Sequence, residues 1–179
     1  MKRFKYILLV LVLVLPMSMM AKSAAAINSE VNLALNDFYS EVIGGKNFLD
    51  KTKGYLVFPE VVKAGFGIGG EYGEGALIVN KRIVAYYNTV SASVGLQFGV
   101  QKKSIIIAFL TNSALRKFRN SKGFKVGVDG SVAIAKWGAG KDISNLTVKE
   151  PIVAFVFGNK GLMYNITIEG NKISRIHPK

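Results

Sequence analysis

The feature that most constrains this chain lies between Lys63 and Gly75. Gly65, Gly67, Gly69, Gly70, Gly73 and Gly75 alternate with Phe66, Ile68 and Tyr72, and the run leads into Ala76, Leu77, Ile78 and Val79. Period-two alternation is a strand signal, and glycine within a strand marks a bend, a bulge or a close backbone approach. The stretch therefore reads as a sharply curved strand pair at the heart of an antiparallel sheet. Gly65, Gly67 and Gly70 also satisfy the spacing of a dinucleotide-binding fingerprint. That motif requires a helix to open at its third glycine, so that the helix N-terminus meets the pyrophosphate. Here Glu71, Gly73, Glu74 and Gly75 follow, with no helical apolar stripe and with two carboxylates where phosphate would sit. A structural glycine strand is the better reading.

The amino terminus has the three parts of a secretory leader. Lys2, Arg3 and Lys5 form a basic start, residues 7–15 are uninterruptedly apolar, and Ala24, Ala25 and Ala26 supply small residues for a cleavage site. The expected organisation is a signal peptide over residues 1–26 and a single domain over 27–179, exported to a periplasm or to the medium. The apolar run is short for a spanning helix, which needs roughly 20 residues. With no cysteine in the chain, the exported domain relies on packing rather than disulfides, and an acyl-cysteine anchor is excluded.

A domain of roughly 150 residues buries about two-thirds of its unfolded surface, and half of this chain is hydrophobic, enough for a real core. The formal charge is +13, of which four positive charges (Lys2, Arg3, Lys5 and Lys22) would leave with the leader. A strong positive balance favours anionic partners such as phospholipid, polyanionic polysaccharide or acidic protein. Export makes nucleic acid an unexpected partner.

Along the domain, Val31, Leu35, Phe38 and Val42 recur at helical spacing, with Asn28 or Ser29 as cap and Gly44 and Gly45 as stop, which predicts an amphipathic helix over 29–42. Its outer face carries Glu30, Asp37 and Glu41, unlike a basic membrane-surface helix. A short helix is expected over 47–52 and a buried strand over 55–58, ended by Pro59. Glycine-bearing strands then alternate with aliphatic ones. Expected strands cover 66–72, 76–79, 83–87, 94–100, 104–109, 126–131, 132–135, 152–157, 162–168 and 173–176, with turns at Asn80-Lys81, at Lys102-Lys103 and at residues 158–161. A second helix over 112–119 turns Ala114, Leu115 and Phe118 inward and Arg116, Lys117 and Arg119 elsewhere. The fold class is α+β: a coiled, mostly antiparallel, glycine-rich and barrel-like sheet with an N-terminal amphipathic helix and one short basic helix.

Catalytic constellations are scarce. The sole histidine, His177, lies at the chain end, and without cysteine the Ser-His and Cys-His dyads and most zinc sites are unavailable, so neither an enzyme nor a cofactor is expected. Glu71 with Glu74, or Asp129 with Asp142, could pair as acid and base, but they sit among glycines or at turns. Cations are better placed for work. Lys102 and Lys103 occupy the expected hairpin tip, and Arg116, Lys117, Arg119, Lys122 and Lys125 cluster on one helix and its exit. Lys136, Trp137 and Lys141 place the one tryptophan in a glycine loop between lysines. A Trp flanked by cations suits a bilayer interface, and each basic residue near an anionic surface contributes about 1 kcal/mol.

Over most of its length the chain resembles SYLF-domain proteins. The resemblance is carried by residues 54–75, by Tyr86, Tyr87 and Asn88 and the run to Gln97, by residues 111–118, by residues 126–131 and by residues 157–162. It implies lipid binding, phosphoinositide binding for eukaryotic members, and actin binding or bundling for yeast members. Bacterial relatives are exported. Because the first helix is acidic outside and an exported protein meets neither actin nor phosphoinositide, the expected partner is an anionic phospholipid surface, held by the basic turns and the Trp loop. A protein-interaction or self-associating module without lipid dependence is the alternative.

Overall fold

The computed structural model describes residues 22–135, 142, 143, 146, 148–160, 168 and 170–179. Among them the order is α1 (Ala24–Glu41), α2 (Gly45–Asp50), β1 (Gly54–Val79), β2 (Arg82–Phe109), α3 (Asn112–Asn120), β3 (Phe124–Lys125), β4 (Val132–Ala135), β5 (Ile152–Lys160) and β6 (Lys172–Ile176). The fold is α+β, with a curled, mostly antiparallel half-barrel sheet, an N-terminal helix and short further helices.

One long hairpin builds the sheet. β1 and β2 pair antiparallel from Gly54↔Phe109 to Val79↔Arg82, and Asn80 and Lys81 turn between them with φ of 51° and 62°. Positive φ at both central residues matches the right-handed twist of the flanking strands. β2 is also paired by β5 near its end and by β6 near its start, so the strand order is β3-β6-β2-β5-β4 with β1 alongside β2. Among the described strands, β4 runs parallel to its neighbour β5 and the other pairs are antiparallel.

The glycines have their expected use. β1 doubles back so closely that a Cβ on Gly75 would stand 2.0 Å from the Val57 carbonyl oxygen, and one on Gly73 would stand 2.8 Å from that of Glu60. Only glycine fits where two backbones meet this way. Gly67 lies at a register shift between Phe66 and Ile68, and Gly65 faces Gly99 across the ladder. At Gly70 the strand continues and no helix opens, so the dinucleotide geometry is absent there.

Where the sheet is covered on both sides, successive residues alternate between two cores. Leu56, Phe58, Leu77, Ile105, Ile107 and Phe109 pack with Ala114, Leu115 and Phe118 of α3. Val57, Ala76, Ile78, Ile106 and Ala108 pack with Ile27, Val31, Leu35 and Phe38 of α1. Strands buried on both faces read as continuous apolar runs, which is why residues 55–58 and 104–109 lack polar alternation.

Several expected boundaries are corrected. The stretches 55–58, 66–72 and 76–79 are one strand, and Pro59 does not end it. Pro59 lies at a register shift between Phe58 and Val61, where the ladder does not need its missing N–H. Lys102 and Lys103 are not at a hairpin tip but inside β2, opposite Val62 and Val61. The expected strand over 126–131 is a tight turn closed by Val128 N–H to the Lys125 carbonyl (3.2 Å) and Asp129 N–H to the same oxygen (2.9 Å). β5 runs through Gly158 to Lys160, and the rest of the turn expected there, with most of the strand expected over 162–168, lies outside the described residues. The first helix starts earlier than expected. Ser23 caps it by accepting from Ala26 N–H at 3.2 Å, while Asn28 accepts from the Tyr86 hydroxyl at 3.0 Å.

Candidate functional site

α3 is held by its ends and its inner face. Thr111 Oγ1 accepts from Ala114 N–H at 3.1 Å, satisfying one of the orphan donors of the first turn. Phe118 sits at the centre of an aromatic cluster, its ring centroid 4.8 Å from Tyr87, 4.9 Å from Phe109 and 5.4 Å from Phe124. With Ala114, Leu115 and Phe118 inward, the helix turns Arg116, Lys117 and Arg119 to solvent. Lys117 and Arg119 lie in the last turn, where the helix dipole favours cations. Lys122 and Lys125, which follow, are also exposed. No ion pair joins any of these five residues to an acid among the described residues.

The sheet adds two cations that the sequence pattern does not disclose. β3 pairs with β6 so that Lys125 stands opposite Lys172, and β6 pairs with β2 so that Arg175 stands opposite Tyr87. Burial raises the Tyr87 phenol above its ordinary range, and the positive charges of Arg175 and Arg119 pull against that shift. The signal was weak because Lys172 and Arg175 lie some 50 residues from α3 in the chain and only strand pairing brings them near. Beside this surface the turn after β3 presents Val128, 73 % exposed. The cap Thr111, Ser113 and Lys117 of α3, and Asp129 and Ser131 after β3 line an open cleft of about 380 Å³. Asp129 is committed locally, its Oδ2 accepting from Lys125 N–H at 2.6 Å.

The expected site residues thus divide. Arg116, Lys117, Arg119, Lys122 and Lys125 share one exposed region. Lys102 is exposed but bonded to Glu60 at 2.8 Å. Lys103 is withdrawn: its side chain is 10 % exposed and its Nζ lies 3.0 Å from Glu71 Oε1, with Lys63 on the same oxygen at 3.8 Å. Lys136, Trp137 and Lys141 lie outside the described residues.

The carboxylates do not form an acid–base pair. Glu71 and Glu74 are three apart on one strand and so project to opposite faces. Glu71 meets Lys103, Lys63 and Asn171, whose Nδ2 also donates to Thr89 at 3.1 Å. Glu74 instead accepts from the Tyr72 hydroxyl at 2.7 Å. Burial, and then this bond to Glu74, push the Tyr72 phenol up to about 12. No group of His, Cys, Asp and Glu that could hold a metal occurs among the described residues. None of their helices is long and apolar enough to cross a membrane.

The two faces of the sheet differ in charge. α1 exposes Asp37 and Glu41 and carries Glu30, with no lysine or arginine in the helix, whereas α3 exposes three cations and no acid. The arrangement sets exposed cations without acidic partners on α3 and acidic side chains on α1, across the sheet from it.

No curated protein matches the chain. Residues 90–177 match the family described as Ysc84, Las17-binding protein actin regulator, a span that contains α3, β3 to β6 and hence every cation of the surface just described. On this match, residues 90–177 carry a Ysc84, or SYLF, domain.

Proposed function

We propose that this domain is an exported, non-enzymatic binding module that attaches peripherally to anionic phospholipid surfaces through α3 and its exit. The observation that carries this reading is the exposed, unneutralised group Arg116, Lys117, Arg119, Lys122 and Lys125 on the face opposite acidic α1. Four such contacts at about 1 kcal/mol each give about 4 kcal/mol, roughly a thousandfold in affinity, most of it removable by salt. Val128, exposed beside them, offers a small apolar contact at headgroup depth. The basic leader with its apolar run and small residues supports export. Lys102 and Lys103 contribute less than their sequence positions imply, because Glu60 and Glu71 already neutralise them. The test is the triple variant Arg116→Glu/Lys117→Glu/Arg119→Glu in vesicle co-sedimentation. Its loss of binding to phosphatidylglycerol vesicles, with thermal unfolding unchanged, would support the surface. Undiminished binding would remove it.

A second reading rests on the matched family's description as an actin regulator that binds a protein. On that reading the basic face meets an acidic protein or a second copy of the chain. Pelleting or oligomer formation without lipid would favour it.

A further inference from the structure

Glu74 is a buried carboxylate, 6 % exposed, on the face of β1 that carries α1. Its Oε1 accepts from the Tyr72 hydroxyl at 2.7 Å and its Oε2 from the backbone nitrogen of Lys22 at 3.0 Å. Among the described residues no lysine or arginine side chain pairs with it, in contrast to Glu71, which has two. The Lys22 side chain is engaged elsewhere, its Nζ 2.6 Å from Glu30 Oε2. A buried carboxylate served only by neutral donors is unfavourable, and a cation in hydrogen-bond contact relieves it.

The atom already in contact can become that cation. Resting on the export reading above, we propose that the leader is cut between Ala21 and Lys22, and that the freed α-ammonium of Lys22 docks on Glu74. Water adds to the Ala21 carbonyl carbon under catalysis by an export-associated signal peptidase, and the Ala21–Lys22 C–N bond breaks. Ala21 leaves as a carboxylate, and the Lys22 nitrogen takes up the protons to become an ammonium. Ala21 places a small residue directly before the cut, five residues beyond the Pro16 that ends the apolar run, with Met19 rather than a small residue two positions earlier.

The fold favours this boundary over one after Ala26. A cut after Ala26 removes the Ser23 cap, the Lys22–Glu30 ion pair, the Ala24 N–H bond to the Lys179 carbonyl (3.1 Å) and the first turn of α1. It also leaves the new ammonium on Ile27, which is fully buried. Cuts after Ser23 or Ala25 leave Glu74 with Tyr72 alone.

The experiment is expression of the full chain with its own leader in a bacterial host, with the N-terminus of the exported protein read by sequencing and intact mass. A start at Lys22 is expected. A start at Ile27, or anywhere else downstream, overturns this inference while leaving export intact; an uncut chain retained in the cell overturns both. Glu74→Gln in the same full chain is expected to leave the cut in place and to lower the melting midpoint of the exported protein by about 4 °C or more. An unchanged midpoint would show that Glu74 does not hold the ammonium.

Discussion

At the scale of single residues the chain is governed by close approach and by buried charge. Gly75 lies against the Val57 carbonyl, so Gly75→Ala must push the two arms of β1 apart, and it is expected to cost about 3 kcal/mol or more in urea unfolding. Gly70→Ala, whose Cβ would lie at an ordinary 3.5 Å from the Ser91 carbonyl oxygen, should cost about 1 kcal/mol or less. Equal losses at the two sites would contradict the doubling back of β1. Lys103→Ala leaves Glu71 leaning on Lys63 and Asn171, and a loss of about 3 kcal/mol is expected in the same assay. Tyr72 adds a pH dependence. Its phenol ionises near 10 when unfolded and at about 12 when folded, so the folded state holds the proton more tightly between those values. Its contribution is therefore full below about pH 10 and is lost as pH rises towards 12. Tyr72→Phe should flatten that part of the stability curve and remove a component near pH 12 from an ultraviolet tyrosine titration. The glycine requirement was legible from composition and spacing alone. The fate of Lys103 was not, because its partner lies 32 residues away and a lysine beside another lysine looks the same whether solvated or paired.

Among the elements, helices were read more accurately than strands. The stripe of Val31, Leu35, Phe38 and Val42 is the buried face of α1 and its end, and Ala114, Leu115 and Phe118 are the buried face of α3. Both helices announce themselves because each covers only one face of the sheet. The hairpin of β1 and β2 is harder, since its glycines, its Pro59 and its lysine pair all resemble turn signals. Bulges absorb them instead, at Phe58/Val61 and Phe66/Ile68, and the strands continue. Strand pairing also supplies Lys172 and Arg175, which no local pattern ties to α3. Phe118→Ala should detach α3 from Tyr87, Phe109 and Phe124, costing about 3–5 kcal/mol in urea unfolding. By contrast, Arg116→Glu/Lys117→Glu/Arg119→Glu changes only the exposed face. It should leave stability within about 1 kcal/mol while weakening vesicle binding about a hundredfold, a pairing that separates function from folding.

For the whole molecule, the sheet acts as a divider between an acidic helix and a basic one. On the proposed attachment, such a charge asymmetry would orient the domain with α3 towards the anionic surface and α1 away. Reversing charge on the far side should therefore have little effect: Asp37→Lys/Glu41→Lys is expected to leave vesicle binding unchanged or slightly stronger. The net charge of the chain favours an anionic partner without giving a direction, and the placement of α1 and α3 on opposite faces supplies one for the proposed attachment. The most direct measurement is flotation of the mature protein on phosphatidylcholine vesicles and on vesicles containing phosphatidylglycerol, at low and at high salt. Flotation with phosphatidylglycerol only, lost at high salt, is the expected result. Equal flotation on both lipids, or none on either at low salt, would contradict attachment through the basic face of α3.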